Sequence, residues 1–227
     1  MSLSRIFATP LSAIAAMALV AGPMLTPATA QTRPRSPASA PANAPLSGDL
    51  LLVQRHLEGM RSMTADFSQT DRAGNVQRGR LTLLQPGRIR FQYEPGNPLL
   101  IVADGRSLNM IDYEVRQVQR WPIRNSPLAV LIDPAANLVR YGRLIPGSSN
   151  DVISVEVRDP ARPEYGMITM IFERDAGSPA GLKLYGWVAL DAQRQRTTIR
   201  LTNVQYGVTV AESAFRWRDP RPTTPRR

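Results

Sequence analysis

The sequence predicts a single α+β, mainly antiparallel β domain, and three observations carry that expectation. Apolar and polar residues alternate over short runs, turn-forming residues separate the runs, and no ten-residue helical crossover of the kind a parallel sheet requires lies between them. Met63, Ala65 and Phe67 alternate with Thr64, Asp66 and Ser68, and Ile89, Phe91 and Tyr93 alternate with Arg88, Arg90 and Gln92. Such a two-residue period places one set of side chains on a buried face and the other in solvent. Between the runs sit Ala73-Gly74-Asn75, Gln85-Pro86-Gly87, Asp104-Gly105 and Asp175-Ala176-Gly177, residues that tolerate positive φ or fix the proline angle. Further strands are expected over 99–103, 107–112, 116–121, 152–159, 167–174, 181–190 and 197–204.

Two segments carry helical signals. Leu50, Leu51, Val53, Leu57 and Met60 recur at helical spacing behind Asp49, predicting an amphipathic helix over about 49–61. Ser126-Pro127 followed by Leu128, Ala129, Val130, Leu131 and Ile132 reads as a serine N-cap, a first-turn proline and a short apolar helix. Asp133-Pro134 is expected to stop it. A helix without a polar side must be covered on every side, by its own protein as a core plug or by something that arrives later.

The ends read differently from the middle. Arg5, the small and apolar run from Leu11 to Ala21, and Ala28-Thr29-Ala30 together match a cleaved secretion signal over 1–30, and the run is shorter than the ~20 residues that span a bilayer. Residues 31–47, rich in Pro, Ala and Ser, bury too little to offset chain entropy and are expected to be a disordered linker. The folded domain is expected over 48–218, followed by a basic disordered tail over 219–227. The formal charge of +10 is mostly terminal: residues 48–215 hold 20 basic and 17 acidic side chains, whereas Arg216 to Arg227 carries five arginines against one aspartate. That distribution argues against a nucleic-acid groove and leaves room for weak attraction to anionic head groups. The chain has no cysteine, which removes disulfides, thiolate metal sites, thiol nucleophiles and a lipid attachment point.

No residue pattern supplies a reaction. His56, the one histidine, lies on the first helix between Arg55 and Glu58 and reads as a solvated or packed side chain. No G-x-S-x-G elbow, calcium loop, P-loop or G-x-G-x-x-G is present. Asp112 with Glu114, and Glu173 with Asp175, stand two apart near strand ends, where solvated carboxylates are ordinary. Arg88-Ile89-Arg90-Phe91-Gln92-Tyr93 interleaves arginine with aromatic residues as single-strand binders do, yet strict alternation makes a buried face with a solvated back the simpler account. The expectation is a non-enzyme with neither cofactor nor metal.

In order along the chain stand an amphipathic helix, Met63-Thr64-Ala65-Asp66-Phe67-Ser68-Gln69, Gly79-Arg80-Leu81, Gln85-Pro86, Ile89-Arg90-Phe91, Ile101-Val102-Ala103-Asp104-Gly105 and Ser126-Pro127-Leu128. Tyr206-Gly207-Val208 and Ala214-Phe215 follow near the end. This series, from about Leu50 to Trp217, resembles the periplasmic outer-membrane lipoprotein carrier family. The resemblance implies an incomplete, strongly curved antiparallel barrel closed by short helices over an apolar cavity that holds the acyl chains of lipoproteins. It also implies a periplasmic location, loading by an inner-membrane lipoprotein-releasing ABC transporter and delivery to an outer-membrane lipoprotein acceptor. The expected state is a monomer making transient membrane-associated contacts, with no nucleic acid.

On that resemblance Met63, Phe67, Leu81, Leu83, Ile89, Phe91 and Tyr93 line a vacant cavity, and Leu128, Leu131 and Ile132 form its movable lid. Where the family usually has a lid-latching arginine before Pro86, this chain has Gln85, which keeps two hydrogen-bond donors but lacks charge and the planar fork. The implied latch is therefore weaker, or is supplemented by Arg88 or Arg90. The pathway's membrane-bound acceptor shares the fold but begins with a lipidated cysteine, which favours the carrier here. The alternative is a periplasmic sensing domain of similar fold that binds lipidated ligands in envelope-stress signalling. An envelope hydrolase is a third reading, and it lacks an acid/base pair.

Overall fold

A computed structural model describes residues 48–123, 126, 128–132, 134–147 and 151–222, with only the backbone of 132 and 134–137 described. The expected signal sequence and linker lie outside the described residues, as do the last five residues of the basic tail.

The chain opens with helix α1 (Gly48–Gly59) and then runs through β1 (Ser62–Thr70), β2 (Val76–Leu84), β3 (Arg88–Tyr93), β4 (Leu99–Asp104), β5 (Ser107–Asp112) and β6 (Gln117–Pro122). Two helices follow, α2 (Ala129–Ile132) and α3 (Pro134–Tyr141). Strands β7 (Gly142–Ile145), β8 (Val152–Arg158), β9 (Met167–Arg174), β10 (Leu182–Leu190) and β11 (Arg196–Tyr206) complete the sheet. The expected strands are present to within a residue or two.

Among the described residues, eleven strands form one antiparallel sheet in the order β6-β5-β4-β3-β2-β1-β11-β10-β9-β8-β7. Each pairs with its sequence neighbour except at the centre, where β1 pairs with β11 from Met63↔Tyr206 to Thr70↔Thr198. The sheet is open: β6 is one edge and β7 the other, and the chain between them is the α2–α3 segment. This connectivity carries two short helices from one free edge of the curl to the other.

Local chemistry explains the strand register. The turn before β2 is built by the Asp71 carboxylate, which accepts from the amides of Ala73 and Asn75 and from the Asn75 side chain. Asp191 does the same before β11, accepting from Gln193 and Gln195. Gly79 sits where a Cβ would lie 2.1 Å from the Gln92 carbonyl oxygen and 2.8 Å from the Phe67 ring, so only glycine lets β2 approach β3 this closely.

Three features were not anticipated from the sequence. The apolar helix stops at Ile132 as expected, but Pro134 begins a second helix, because proline is suited to a first helical position. The four-residue strand β7 was too short to announce itself in the sequence. Ser126 is also not the expected cap of the apolar helix: its hydroxyl donates to the Ile123 carbonyl at 2.9 Å, and α2 starts three residues later. Among the described residues no helix is long and apolar enough to cross a membrane.

Candidate functional site

The inner face of the curl gathers the alternating apolar residues of both halves of the sheet. Met63, Phe67, Leu81, Leu83, Ile89, Phe91 and Tyr93 from β1–β3 belong to one cluster with Ile153, Val155, Met170, Phe172, Leu184 and Trp187 from β8–β10. The aromatic rings meet edge to face, Phe67 with Phe91 at 5.4 Å, Phe67 with Tyr93 at 5.2 Å, and Phe91 with Trp187 at 6.1 Å. Tyr93 keeps its hydroxyl satisfied by donating to Gln69 Oε1 at 2.8 Å, while burial pushes its pKa up to about 12.

Helices fill the hollow. Val53 and Leu57 of α1, Met60 just after it, Val130 and Leu131 of α2 and Leu138 of α3 are all at most 1% exposed and join the same cluster. The seven residues expected to border a vacant cavity are themselves no more than 4% exposed. The hollow expected to stand empty is thus occupied by the protein's own side chains in this conformation. The physical reason is the α2–α3 segment, whose second helix, unforeseen in the sequence, adds Leu138 to the interior. Leu128 is half-buried at the margin, and the side chain of Ile132 lies outside the described residues.

Gln85 fastens α2 to the sheet: its Nε2 donates to the Leu131 carbonyl oxygen at 2.7 Å. Gln85 is itself held in place: its backbone amide donates to the Arg61 carbonyl at 2.8 Å, and its Oε1 accepts from the Gly87 amide at 3.4 Å. The residue is therefore positioned by the end of α1 and the β2–β3 turn, and reaches across 46 positions of chain to the helix.

Arg88 and Arg90 do not supplement this contact, because they project from the opposite face of β3. Arg88 pairs with Glu212 at 2.8 Å and lies over the Phe215 ring, while Arg90 donates to the carbonyls of Ala214 and Arg216, each at 3.1 Å. They clamp the short 3-10 turn Glu212–Phe215 against the outside of the sheet. Beneath it lies a second apolar cluster of Leu100, Val102, Ile111 and Phe215, so the back of β3, expected to be solvated, is partly covered by this turn, and the back of β4 is apolar and buried. The available signal was Leu99-Leu100-Ile101-Val102-Ala103, an unbroken apolar run that marks a strand buried on both faces.

His56 is wholly buried, the packed rather than the solvated of its two expected states. Its ring stands edge-on to Phe172 at 5.3 Å and to Tyr206 at 5.4 Å, and Nδ1 lies 2.9 Å from the Pro179 carbonyl oxygen, to which it donates. Among the described residues Nε2 has no hydrogen-bond partner, and burial holds the pKa below the ordinary histidine value. The residue fastens α1 to the 3-10 turn Pro179–Gly181. Among the described residues no group of three or more histidine or acidic side chains is placed to hold a metal ion.

An open antiparallel curl whose apolar inner side is closed by helices instead of strands defines a half-barrel protein built around a coverable apolar surface. Residues 58–218 match the family described as outer membrane lipoprotein carrier protein LolA, and the chain belongs to that family. The outer-membrane lipoprotein carrier protein of Xanthomonas oryzae pv. oryzae is 29% identical over 171 residues, covering 70% of this chain and 78% of the relative. That of Legionella pneumophila is 28% identical over 182 residues, covering 75% and 85%. Among solved structures, a LolA superfamily protein from Nitrosomonas europaea superposes with a TM-score of 0.41 at 13% identity, over 74% of this chain and 96% of that one.

Proposed function

We propose that this protein is a periplasmic chaperone that takes up the acyl chains of lipoproteins released from the inner membrane and carries them to the outer membrane. The observation that carries the reading is the contact between Gln85 and α2: a four-residue apolar helix closes the hollow, and the Gln85 side chain donates a hydrogen bond to its Leu131 carbonyl oxygen. Family membership supplies the cargo class.

Energetics make the arrangement intelligible. Each methylene removed from water contributes about 0.8 kcal/mol, so an acyl chain of ~15 methylenes requires on the order of 12 kcal/mol of burial to stay in an aqueous compartment. A sheet lined by Met63, Phe67, Leu81, Leu83, Ile89, Phe91 and Tyr93 offers that burial once α2 withdraws. The lid residues then exchange contacts with their own core for contacts with lipid, so uptake and release differ little in apolar area buried. A hollow filled by its own lid also keeps the empty carrier from presenting a large exposed apolar patch.

Loading from an inner-membrane ABC transporter and unloading to an outer-membrane acceptor follow from the same reading, with the processed chain working as a monomer. The test is capture of one triacylated lipoprotein, in its lipidated form and in a form whose lipidated cysteine is replaced by serine, by purified protein in detergent-free buffer. The carrier retains the first in solution and not the second. Equal capture of both forms, or of neither, would falsify the assignment.

A further inference from the structure

The outer face of the sheet, opposite the helices, holds a groove that acyl-chain carriage leaves unused. It spans about 860 Å³ across β11, β1, β2 and β3, and a second groove of about 440 Å³ adjoins it through Arg80 and Gln92. Their linings bring together Arg78, Arg80, Arg90, Arg200 and Arg216 against two carboxylates, Asp66 and Glu94. The alternation that buries Phe67, Leu81 and Phe91 on the inside is what gathers these arginines outside.

The positive charge is largely uncompensated. Asp66 is engaged with Arg80 at 3.5 Å, and Arg90 is committed to neutral acceptors, the Ala214 and Arg216 carbonyls and Gln92 Oε1. Among the described residues, Arg78, Arg200 and Arg216 have no carboxylate within ion-pairing distance. The Arg200 guanidinium is stacked 5.0 Å over the Tyr185 ring, which fixes its plane while leaving its N–H groups free to donate.

We propose that this groove docks an extended acidic segment of a partner protein. Charge complementarity selects an acidic ligand, since the linings set five arginines against two carboxylates. Ser68, Thr70, Thr198 and Thr202 add hydroxyls along the groove that pair with carboxylates and peptide groups. A bilayer surface fits less well: Val76 is the single exposed large apolar residue in the lining, and the exposed aromatic residues Tyr113 and Trp121 stand elsewhere. The surface lies on the side of the sheet away from the apolar interior, so a partner docks without displacing cargo.

The test is fluorescence anisotropy of a labelled ten-residue peptide of alternating Glu and Ser, titrated with the whole processed protein at low ionic strength. The peptide binds, an alternating Lys and Ser peptide does not, and affinity falls as salt shortens the screening length from about 10 Å at 0.1 M. Arg78→Glu with Arg200→Glu weakens binding at least tenfold, whereas Arg106→Glu with Arg158→Glu, the same charge change at exposed positions outside the groove, changes it less than threefold. If the first double variant does not fold, Arg78→Gln and Arg200→Gln singly carry the test, each with about a threefold loss. Equal losses in the two double variants overturn the proposal, as does absence of acidic-peptide binding. Retention of phosphatidylglycerol vesicles through these arginines without peptide binding also overturns it, in favour of a lipid head-group surface.

Discussion

Gln85 and Leu131 are joined by a 2.7 Å hydrogen bond from the Gln85 carboxamide to the Leu131 carbonyl oxygen, which ties the turn between β2 and β3 to the helix that closes the interior. A net hydrogen bond of this kind contributes about 1 kcal/mol, which is a factor of about five in an opening equilibrium. Gln85→Ala therefore raises amide exchange of 129–132 about fivefold with little change elsewhere, and speeds lipoprotein uptake. Gln85→Arg, with a charged donor, slows release. Unaltered exchange in the alanine variant and unaltered release in the arginine variant would together remove the latch.

Leu131 is 1% exposed within the interior cluster. A glutamate there cannot be buried ionised, since transfer of a carboxylate into an apolar interior is prohibitive, and the helix is expelled instead. The strands keep their pairing because each bonds to its sheet neighbours and not to α2. Leu131→Glu thus retains the β-sheet circular dichroism of the parent, exposes residues 128–132 to protease, and fails to hold a triacylated lipoprotein, because the charged lid cannot close over acyl chains. Normal lipoprotein retention by this variant would place the cover elsewhere.

The sheet was legible in the sequence because its signal is local: a period of two along Met63, Ala65 and Phe67, and turns written in glycine, proline and aspartate. The occupancy of its interior was not legible, because whether Leu131 and Leu138 fill the hollow depends on contacts across the whole curl that no sequence window contains. Strand β4 shows the same limit from the other side. Its inner residues obeyed alternation, but Leu100 and Val102 are covered by Phe215, more than a hundred positions away. The two arginines of β3 read as solvent-facing charges in the sequence for the same reason, their partners being the distant Glu212, Ala214 and Arg216.

His56 makes stability pH-dependent. Its folded pKa lies below the ordinary value of 6.5, chiefly through burial, with the Pro179 and Leu182 backbone bonds opposing part of that shift. The unfolded chain then binds a proton more readily than the folded one, so stability is fully present above pH 6.5 and is lost as pH falls below it through the folded pKa. Urea midpoints measured between pH 7.5 and 5 should fall in the parent, and His56→Phe should flatten that part of the profile even though it lowers stability throughout. A parent profile level over this range would mean that His56 keeps its usual pKa.

Phe215 is 6% exposed and seals Leu100, Val102 and Ile111 on the outside of the sheet, with Arg88 lying 5.9 Å over its ring. Removing a buried phenyl group typically destabilises by about 3–5 kcal/mol, with the low end apt here because the site is at the protein margin and can be rehydrated. Phe215→Ala should therefore lower the urea midpoint, release the segment from Glu212 onward and red-shift the fluorescence of Trp217, which packs on the same cluster. The interior cluster lies on the other face of the sheet, so lipoprotein retention under native conditions is unchanged. Loss of retention in a variant that is still folded would show that the outer clamp and the inner hollow are coupled through β3 and β4 rather than independent.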